Sequence, residues 1–184
     1  PGNVLIDAWC QLQGHGTYDA DGEWAATGDL IEPLLQLMLQ EAYFHLPHPK
    51  STGRELFNLR WLQHKLSSLA TKHRPVDICT TLVELTAFTI GQSIKSDFVD
   101  CHELFICGGG AHNQYLLKRI ASHLPNFNVN TTQALGIGPD WVEAAGFAWL
   151  AKQNLARNPI KLSSVTGASQ DCILGGIYCA GQDS

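Results

Sequence analysis

The feature of the sequence best suited to chemistry is a run of three glycines that separates an apolar segment from a polar one. Leu104-Phe105-Ile106 precedes Gly108, Gly109 and Gly110, and Asn113 follows. Glycine lets a backbone adopt positive φ and approach a ligand closely, and the start of a following helix offers unpaired N–H groups that suit phosphate. The run therefore predicts a nucleotide-binding turn, with a purely structural strand-to-helix turn as the alternative.

Two common phosphate-binding motifs do not fit the sequence. A dinucleotide-binding fingerprint would need a further glycine at Asn113, and a P-loop would need a glycine before Lys50-Ser51, where Pro49 stands. The glycine turn must therefore belong to another class of nucleotide site.

Several other polar residues have both a chemical and a structural interpretation. Glu143 could accept a sugar hydroxyl, or could stabilise the first turn of a helix by its charge. Lys50, Thr52 and Arg54 could approach a phosphate or a carboxylate, whereas a helix capping box already explains Thr52 and Glu55.

The remaining candidates favour structural roles. Asp19 and Asp21 are expected to form the turn before Gly22 and nothing more. His102, Cys107 and His112 lack the spacing of a structural zinc site, so we expect no metal bound by protein side chains.

Composition excludes several classes of protein. The 184 residues carry a formal net charge of -5 and 12 basic residues that form no cluster, which argues against binding to nucleic acid or anionic membranes. No stretch approaches the roughly 20 apolar residues of a membrane span. The six cysteines include no Cys-x-x-Cys pair and are interpreted as reduced thiols in a cytoplasmic protein.

Periodicity and capping signals predict helices that outnumber strands. The expected architecture is one α/β domain with helices on the faces of a partly parallel sheet. Large aromatic residues at helical spacing, including Trp141, Phe147 and Trp149, are expected in the core. The predicted helices are 4–12 (after an N-cap at Asn3, with a strand as rival for 4–6), 30–43, 53–69 (after an N-cap at Ser51 or Thr52), 75–98, 115–124 and 139–155. The predicted loop is 14–28, the extended segment is 46–49, and the predicted strands are 103–107, 127–132 and 172–178.

Motifs along nearly the whole chain resemble the anhydro-N-acetylmuramic acid kinases, in the C-terminal half of that family. The matching segments are Pro1-Gly2-Asn3 with Leu5-Ile6-Asp7-Ala8-Trp9, Tyr18-Asp19-Ala20-Asp21-Gly22, Lys50-Ser51-Thr52-Gly53-Arg54-Glu55, Cys107 to Asn113, and Glu143 to Leu150. The resemblance implies that residues 1–184 are the C-terminal lobe of the actin/hexokinase/Hsp70-like (ribonuclease H-like) ATPase fold, with a mixed sheet and helices on its faces. It also implies that the chain is a fragment or processed product, which is inactive without the N-terminal lobe.

The resemblance further implies an activity and a set of site residues. The family uses ATP and Mg²⁺ to open the anhydro bond of 1,6-anhydro-N-acetylmuramate with water and to phosphorylate its 6-oxygen, in the recycling of cell-wall sugar. By this likeness Gly108, Gly109, Gly110, Ala111 and Asn113 would hold the nucleotide.

The same likeness implies that the general base lies in the absent half, so no catalytic base is assigned here. Glu143 is the expected substrate-binding residue, the partner is a small sugar, and a homodimer is compatible with the family. The alternative function is a non-catalytic nucleotide-binding or regulatory module of the same fold.

Overall fold

The computed structural model describes residues 1–47 and 50–178, which form two compact units that divide after Asp140. The first unit contains α1 (Val4–Leu12), α2 (Glu32–Leu39), α3 (Leu59–Ser67), α4 (Pro75–Asp97), β1 (Glu103–Ile106), α5 (Gln114–His123) and β2 (Asn128–Thr131). The second contains α6 (Trp141–Leu155) and α7 (Ser163–Thr166). The α/β class is therefore confirmed, while the single lobe over 1–184 stays a prediction.

The core of the first unit is built around α4, whose N-terminal half is buried on all sides. Pro75 opens the helix at a position where its missing N–H costs nothing. Helices α1, α2 and α5 pack against α4, and the indole Nε1 of Trp9 donates a hydrogen bond of 2.8 Å to the carbonyl oxygen of Pro75. This arrangement fixes α1, which carries Asp7 of the site described below, and α5, which directly follows the glycine turn.

The sheet consists of two parallel strands joined through α5. Glu103 pairs with Asn128 and the register continues to Ile106 opposite Thr131. Both strands are only half-buried. The first strand packs Leu104 and Ile106 against the core on one face. Such a β–α–β unit places the turn after β1 at the carboxyl edge of the sheet.

The predicted helix 53–69 starts later than the sequence suggested, at Leu59. Thr52 and Glu55 do pair, with 3.0 Å between Thr52 Oγ1 and Glu55 Oε1, but they stabilise a loop. The true N-cap is Asn58, whose side chain accepts a hydrogen bond of 3.0 Å from the amide of Trp61. A local pairing that looks like a capping box was therefore not followed by a helix.

The other boundaries deviate less. Residues 30–43 form α2 and then a separate 3-10 turn over Ala42–His45. Leu46 is extended, as expected before a proline, whereas His48 and Pro49 lie outside the described residues. The loop over 14–28 contains two 3-10 turns, Ala20–Gly22 and Ala25–Thr27.

The second unit corrects two predictions. The expected strand 172–178 is not formed: the described part of this segment contributes one isolated bridge, between Cys172 and Ile160. Asn154 instead donates to the carbonyl oxygens of Leu174 and Gly175, which holds the segment as a loop.

The aromatic side chains of α6 are also not in a core. Trp141, Phe147 and Trp149 are all exposed, because a unit of this size buries too little surface to cover all the large apolar side chains of the helix.

Two further observations concern the state of the cysteines and the length of the helices. Cys10, Cys79, Cys101, Cys107 and Cys172 are free thiols, and Cys179 lies outside the described residues. Within the described ranges, no helix combines the length and apolar character that crossing a bilayer requires.

Candidate functional site

Three segments of the first unit meet around a cavity of about 330 Å³. They are the start of α1, the loop before the first 3-10 turn, and the glycine turn that follows β1. The lining residues are Asn3, Asp7, Thr17, Tyr18, Asp19, Asp21, Gly109, His112 and Asn113. The cavity therefore lies at the carboxyl edge of the sheet, where the sequence placed a ligand.

The backbone of the glycine turn leaves amide donors without a partner and space around them. Gly108 has φ +71° and its amide donates to the carbonyl oxygen of Pro139 at 3.0 Å. Residues Gly109–His112 then form a 3-10 turn. Among the described residues, the amides of Gly109 and Gly110 have no hydrogen-bond acceptor, and a Cβ added at Gly108 or Gly109 would meet no atom within 4 Å. The turn thus presents free donors and open space.

Asn113 has a structural role as well as a place in the cavity wall. Its side-chain oxygen accepts a hydrogen bond of 2.8 Å from the amide of Leu116 and so caps α5. The residue is buried, and Gly22 lies so close that any side chain there would overlap the Asn113 oxygen. Ala111 is buried beneath the turn and is absent from the cavity lining. Nucleotide binding by both residues stays a prediction.

The start of α1 supplies a second set of free donors, which the sequence did not reveal. The amides of Val4, Leu5 and Ile6 have no acceptor among the described residues, and the Asn3 side chain does not cap the helix. The Asn3 side chain faces the glycine turn, since a Cβ added at Gly110 would lie 3.7 Å from its Nδ2. The positive end of a helix therefore borders the cavity, next to the glycine turn.

Three carboxylates also line the cavity. Asp19 is buried and accepts hydrogen bonds of 2.9 Å from the amides of Trp24 and Ala25, while Asp21 adopts φ +53°. The expectation that both form the turn is confirmed. The expectation that they do nothing more is too narrow, because both also border the cavity.

Asp7 is the third cavity carboxylate and was not singled out from the sequence. Burial raises its pKa, and the nearby charge of Arg54 partly opposes that effect. Asn3 and Asp7 are four residues apart, so they share one face of α1. This spacing of two polar residues is the feature by which the sequence could have pointed to Asp7.

The three candidates in the loop 50–54 differ in whether their side chains already have partners. Lys50 donates from Nζ to the carbonyl oxygen of Phe44 at 2.9 Å and lies over the ring of Tyr43, so it stabilises the loop. Thr52 is bound to Glu55. Arg54 is exposed and its guanidinium makes no hydrogen bond among the described residues, which leaves it as the cation available near Asp7.

Glu143 and the candidate metal ligands are the remaining residues singled out from the sequence. Glu143 lies in the first turn of α6, in the second unit, and is exposed; its role in binding substrate stays a prediction. His112 pairs with Asp140 through Nε2 and Oδ1 at 2.8 Å. Over the part of the chain that is described, no three His, Cys, Asp or Glu side chains are grouped so as to hold a metal ion.

Comparison with known proteins places this chain in a family. The family model described as anhydro-N-acetylmuramic acid kinase matches residues 1–180. Proteins named anhydro-N-acetylmuramic acid kinase are similar to this chain in Pseudomonas savastanoi pv. phaseolicola (51% identical over 180 residues, 98% of this chain and 49% of that protein), Saccharophagus degradans (50% over 178 residues, 97% and 48%) and Coxiella burnetii (49% over 178 residues, 97% and 47%).

The chain belongs to the anhydro-N-acetylmuramic acid kinase family. It spans about half the length of the curated relatives it matches.

Proposed function

We propose that this chain is the nucleotide-binding lobe of an ATP-dependent kinase acting on 1,6-anhydro-N-acetylmuramic acid. In the reaction, water adds to C1, the bond between C1 and O6 breaks, O6 takes the γ-phosphoryl group of ATP, and ADP leaves. The product is N-acetylmuramic acid 6-phosphate. Family membership supports the substrate class, and the lobe is proposed to have the actin/hexokinase-like fold.

The observation that carries the proposal is a cavity lined both by Asn3, at the start of α1, and by Gly109 of the glycine turn, two segments that carry free amides. The amides at the start of α1 and those of Gly109 and Gly110 have no acceptor within the described residues. Phosphate oxygens are pure acceptors and suit such donors. Gly108, Gly110, Ala111 and Asn113 are proposed to complete this nucleotide-binding surface around Gly109.

The carboxylates of the same cavity explain why a divalent cation is needed. Asp7, Asp19 and Asp21 would repel a bare triphosphate. Mg²⁺ bound to the phosphates removes that repulsion, and its preference for carboxylate and water oxygens fits Asp7 and Asp21. When bound, the ion neutralises charge that develops on the transferred phosphoryl group. Arg54 is proposed to approach the same phosphates or the substrate carboxylate.

The sugar side of the site is proposed from the family likeness. Glu143 would accept a sugar hydroxyl, and the general base lies outside this chain. The enzyme would act in the cytoplasm, with a homodimer as the candidate assembly. Neither property is needed for the chemistry of the cavity.

The test uses the complete protein with ATP, Mg²⁺ and 1,6-anhydro-N-acetylmuramic acid. We expect a 6-phosphorylated, ring-opened sugar by mass spectrometry and ³¹P NMR, with one ADP formed per sugar. The control substrate is N-acetylglucosamine, which lacks the anhydro bond. ATP binding without any phosphorylated sugar would instead favour the non-catalytic nucleotide-binding module.

The 184-residue chain alone gives a second test. We expect it to bind ATP weakly and to form no product, because the attacking water has no base. Turnover by this chain alone would contradict the proposed division of the active site between two lobes.

A further inference from the structure

A histidine at the end of the glycine turn is held in a defined orientation at the edge of the cavity. His112 lines the cavity, and its Nε2 lies 2.8 Å from Oδ1 of Asp140. The neighbouring Pro139 accepts the amide hydrogen bond of Gly108 at 3.0 Å. Two hydrogen bonds therefore join the turn to residues 139–140, one at each end of the turn.

The bond to Asp140 determines which ring nitrogen carries hydrogen. A carboxylate only accepts hydrogen bonds, so Nε2 must be the donor. In the neutral imidazole the other nitrogen, Nδ1, then has a free lone pair and accepts. Among the described residues, Nδ1 has no hydrogen-bond partner. The pair thus provides a pre-oriented acceptor beside the cavity.

A nucleotide offers few donors to such an acceptor. Phosphate oxygens cannot donate, whereas ribose hydroxyls can. The ring of His112 follows within three residues of the free amides of Gly109 and Gly110, which suit phosphate. The part of the nucleotide next to its phosphates is the ribose, and the base lies further away.

We propose that His112 is a nucleotide-contacting residue whose Nδ1 accepts a hydrogen bond from a ribose hydroxyl, with Asp140 fixing the tautomer and orientation of the ring. This inference rests on the proposed function, since it requires ATP in this cavity. It adds a specificity determinant, because the contact distinguishes ribonucleotides from deoxynucleotides. Asp140 acts here as a positioning residue.

The experiment measures dissociation constants of ATP, 2′-deoxy-ATP and 3′-deoxy-ATP by calorimetry on the complete protein. His112→Ala removes the ring. His112→Asn keeps an acceptor close to the position of Nδ1, and His112→Gln keeps a donor close to the position of Nε2. The matched control is His64→Ala, at an exposed position on α3 outside the cavity lining.

The expected result is a loss of about threefold to tenfold in ATP affinity for His112→Ala, the range of one hydrogen bond. Wild-type protein should show the same loss with one of the two deoxynucleotides, and His112→Ala should show no further loss with it. His112→Asn should restore ATP affinity better than His112→Gln, and His64→Ala should bind like wild type.

Three outcomes overturn the inference. The first is ATP binding by His112→Ala equal to that of wild type, and the second is an equal loss of affinity for all three nucleotides in His112→Ala. The third is restored affinity in His112→Gln alone, which would mean that the pair only stabilises the turn. The first leaves the proposed function intact, provided wild type binds ATP. Wild-type protein that fails to bind ATP would remove both proposals.

Discussion

Replacing Gly22 by alanine tests whether the loop 17–22 packs directly on the residue that caps α5. Gly22 has φ +73°, and an added Cβ would overlap Oδ1 of Asn113 and lie 2.7 Å from Cβ of Tyr115. Gly14 provides a matched control, because it has φ +69° and a Cβ there would meet no atom within 4 Å. Both substitutions impose the same left-handed backbone on alanine, and only one also creates a collision.

The two costs can be separated in magnitude. A left-handed conformation costs a residue with a Cβ about 1–2 kcal/mol, so Gly14→Ala should lose about that much stability. Overpacking adds about 1–3 kcal/mol, so Gly22→Ala should lose about 2–5 kcal/mol. Urea unfolding followed by circular dichroism measures both values under identical conditions.

Nucleotide affinity gives an independent measurement of the same contact. Gly22→Ala must displace the side chain of Asn113, which lines the cavity, so we expect weaker ATP binding. Gly14→Ala should bind ATP as wild type does, since Gly14 does not line the cavity. Equal losses of stability in the two variants, with unchanged ATP affinity in Gly22→Ala, would refute the direct contact.

Three further predictions concern the cavity and its support. Gly109→Ala should change stability by less than about 0.5 kcal/mol, because its Cβ meets open space, yet weaken ATP binding measured by calorimetry. Glu84→Gln should destabilise by about 2 kcal/mol in urea unfolding, because the buried carboxylate receives hydrogen bonds of 2.6 and 2.7 Å from Arg119 and His123. Burial alone would raise the pKa of Glu84, but these partners outweigh it and hold the pKa below its ordinary value; the difference between variant and wild type should therefore persist at neutral pH and fade as pH falls through the folded pKa. Asp7→Asn should stabilise at neutral pH by a few tenths of a kcal/mol, since solvent screens this half-exposed site, and the gain should vanish in acid, because the raised pKa of Asp7 penalises only its charged form.

Local signals predicted the elements that support the site. The predicted helices 75–98 and 115–124 correspond to α4 and α5, and the side chain of Asn113 caps α5 by accepting from the amide of Leu116. Such signals involve residues within one or two helical turns, so a sequence displays them directly. The same locality produced the errors: Thr52 and Glu55 form their predicted pair, but whether a helix follows depends on the packing of residues further along.

The predicted strand 172–178 failed for a related reason. An apolar run predicts a strand only when a neighbouring strand supplies hydrogen bonds. Here the side chain of Asn154 binds the carbonyl oxygens of Leu174 and Gly175 instead. The competing partner is about twenty residues away in sequence, and no local pattern announces it.

The chemistry of the cavity depends on contacts of still longer range. The glycine turn was recognisable by itself, but the cavity that it lines also includes Asn3 at the start of α1, more than a hundred residues earlier. The carboxylates of Asp7, Asp19 and Asp21 each have an ordinary local explanation, as a helix residue or as turn formers. Only the fold brings the glycine turn, the start of α1 and these carboxylates to the same cavity. The proposed ligand, the magnesium complex of a nucleoside triphosphate, would meet both kinds of lining, because it carries negative charge and a divalent ion together.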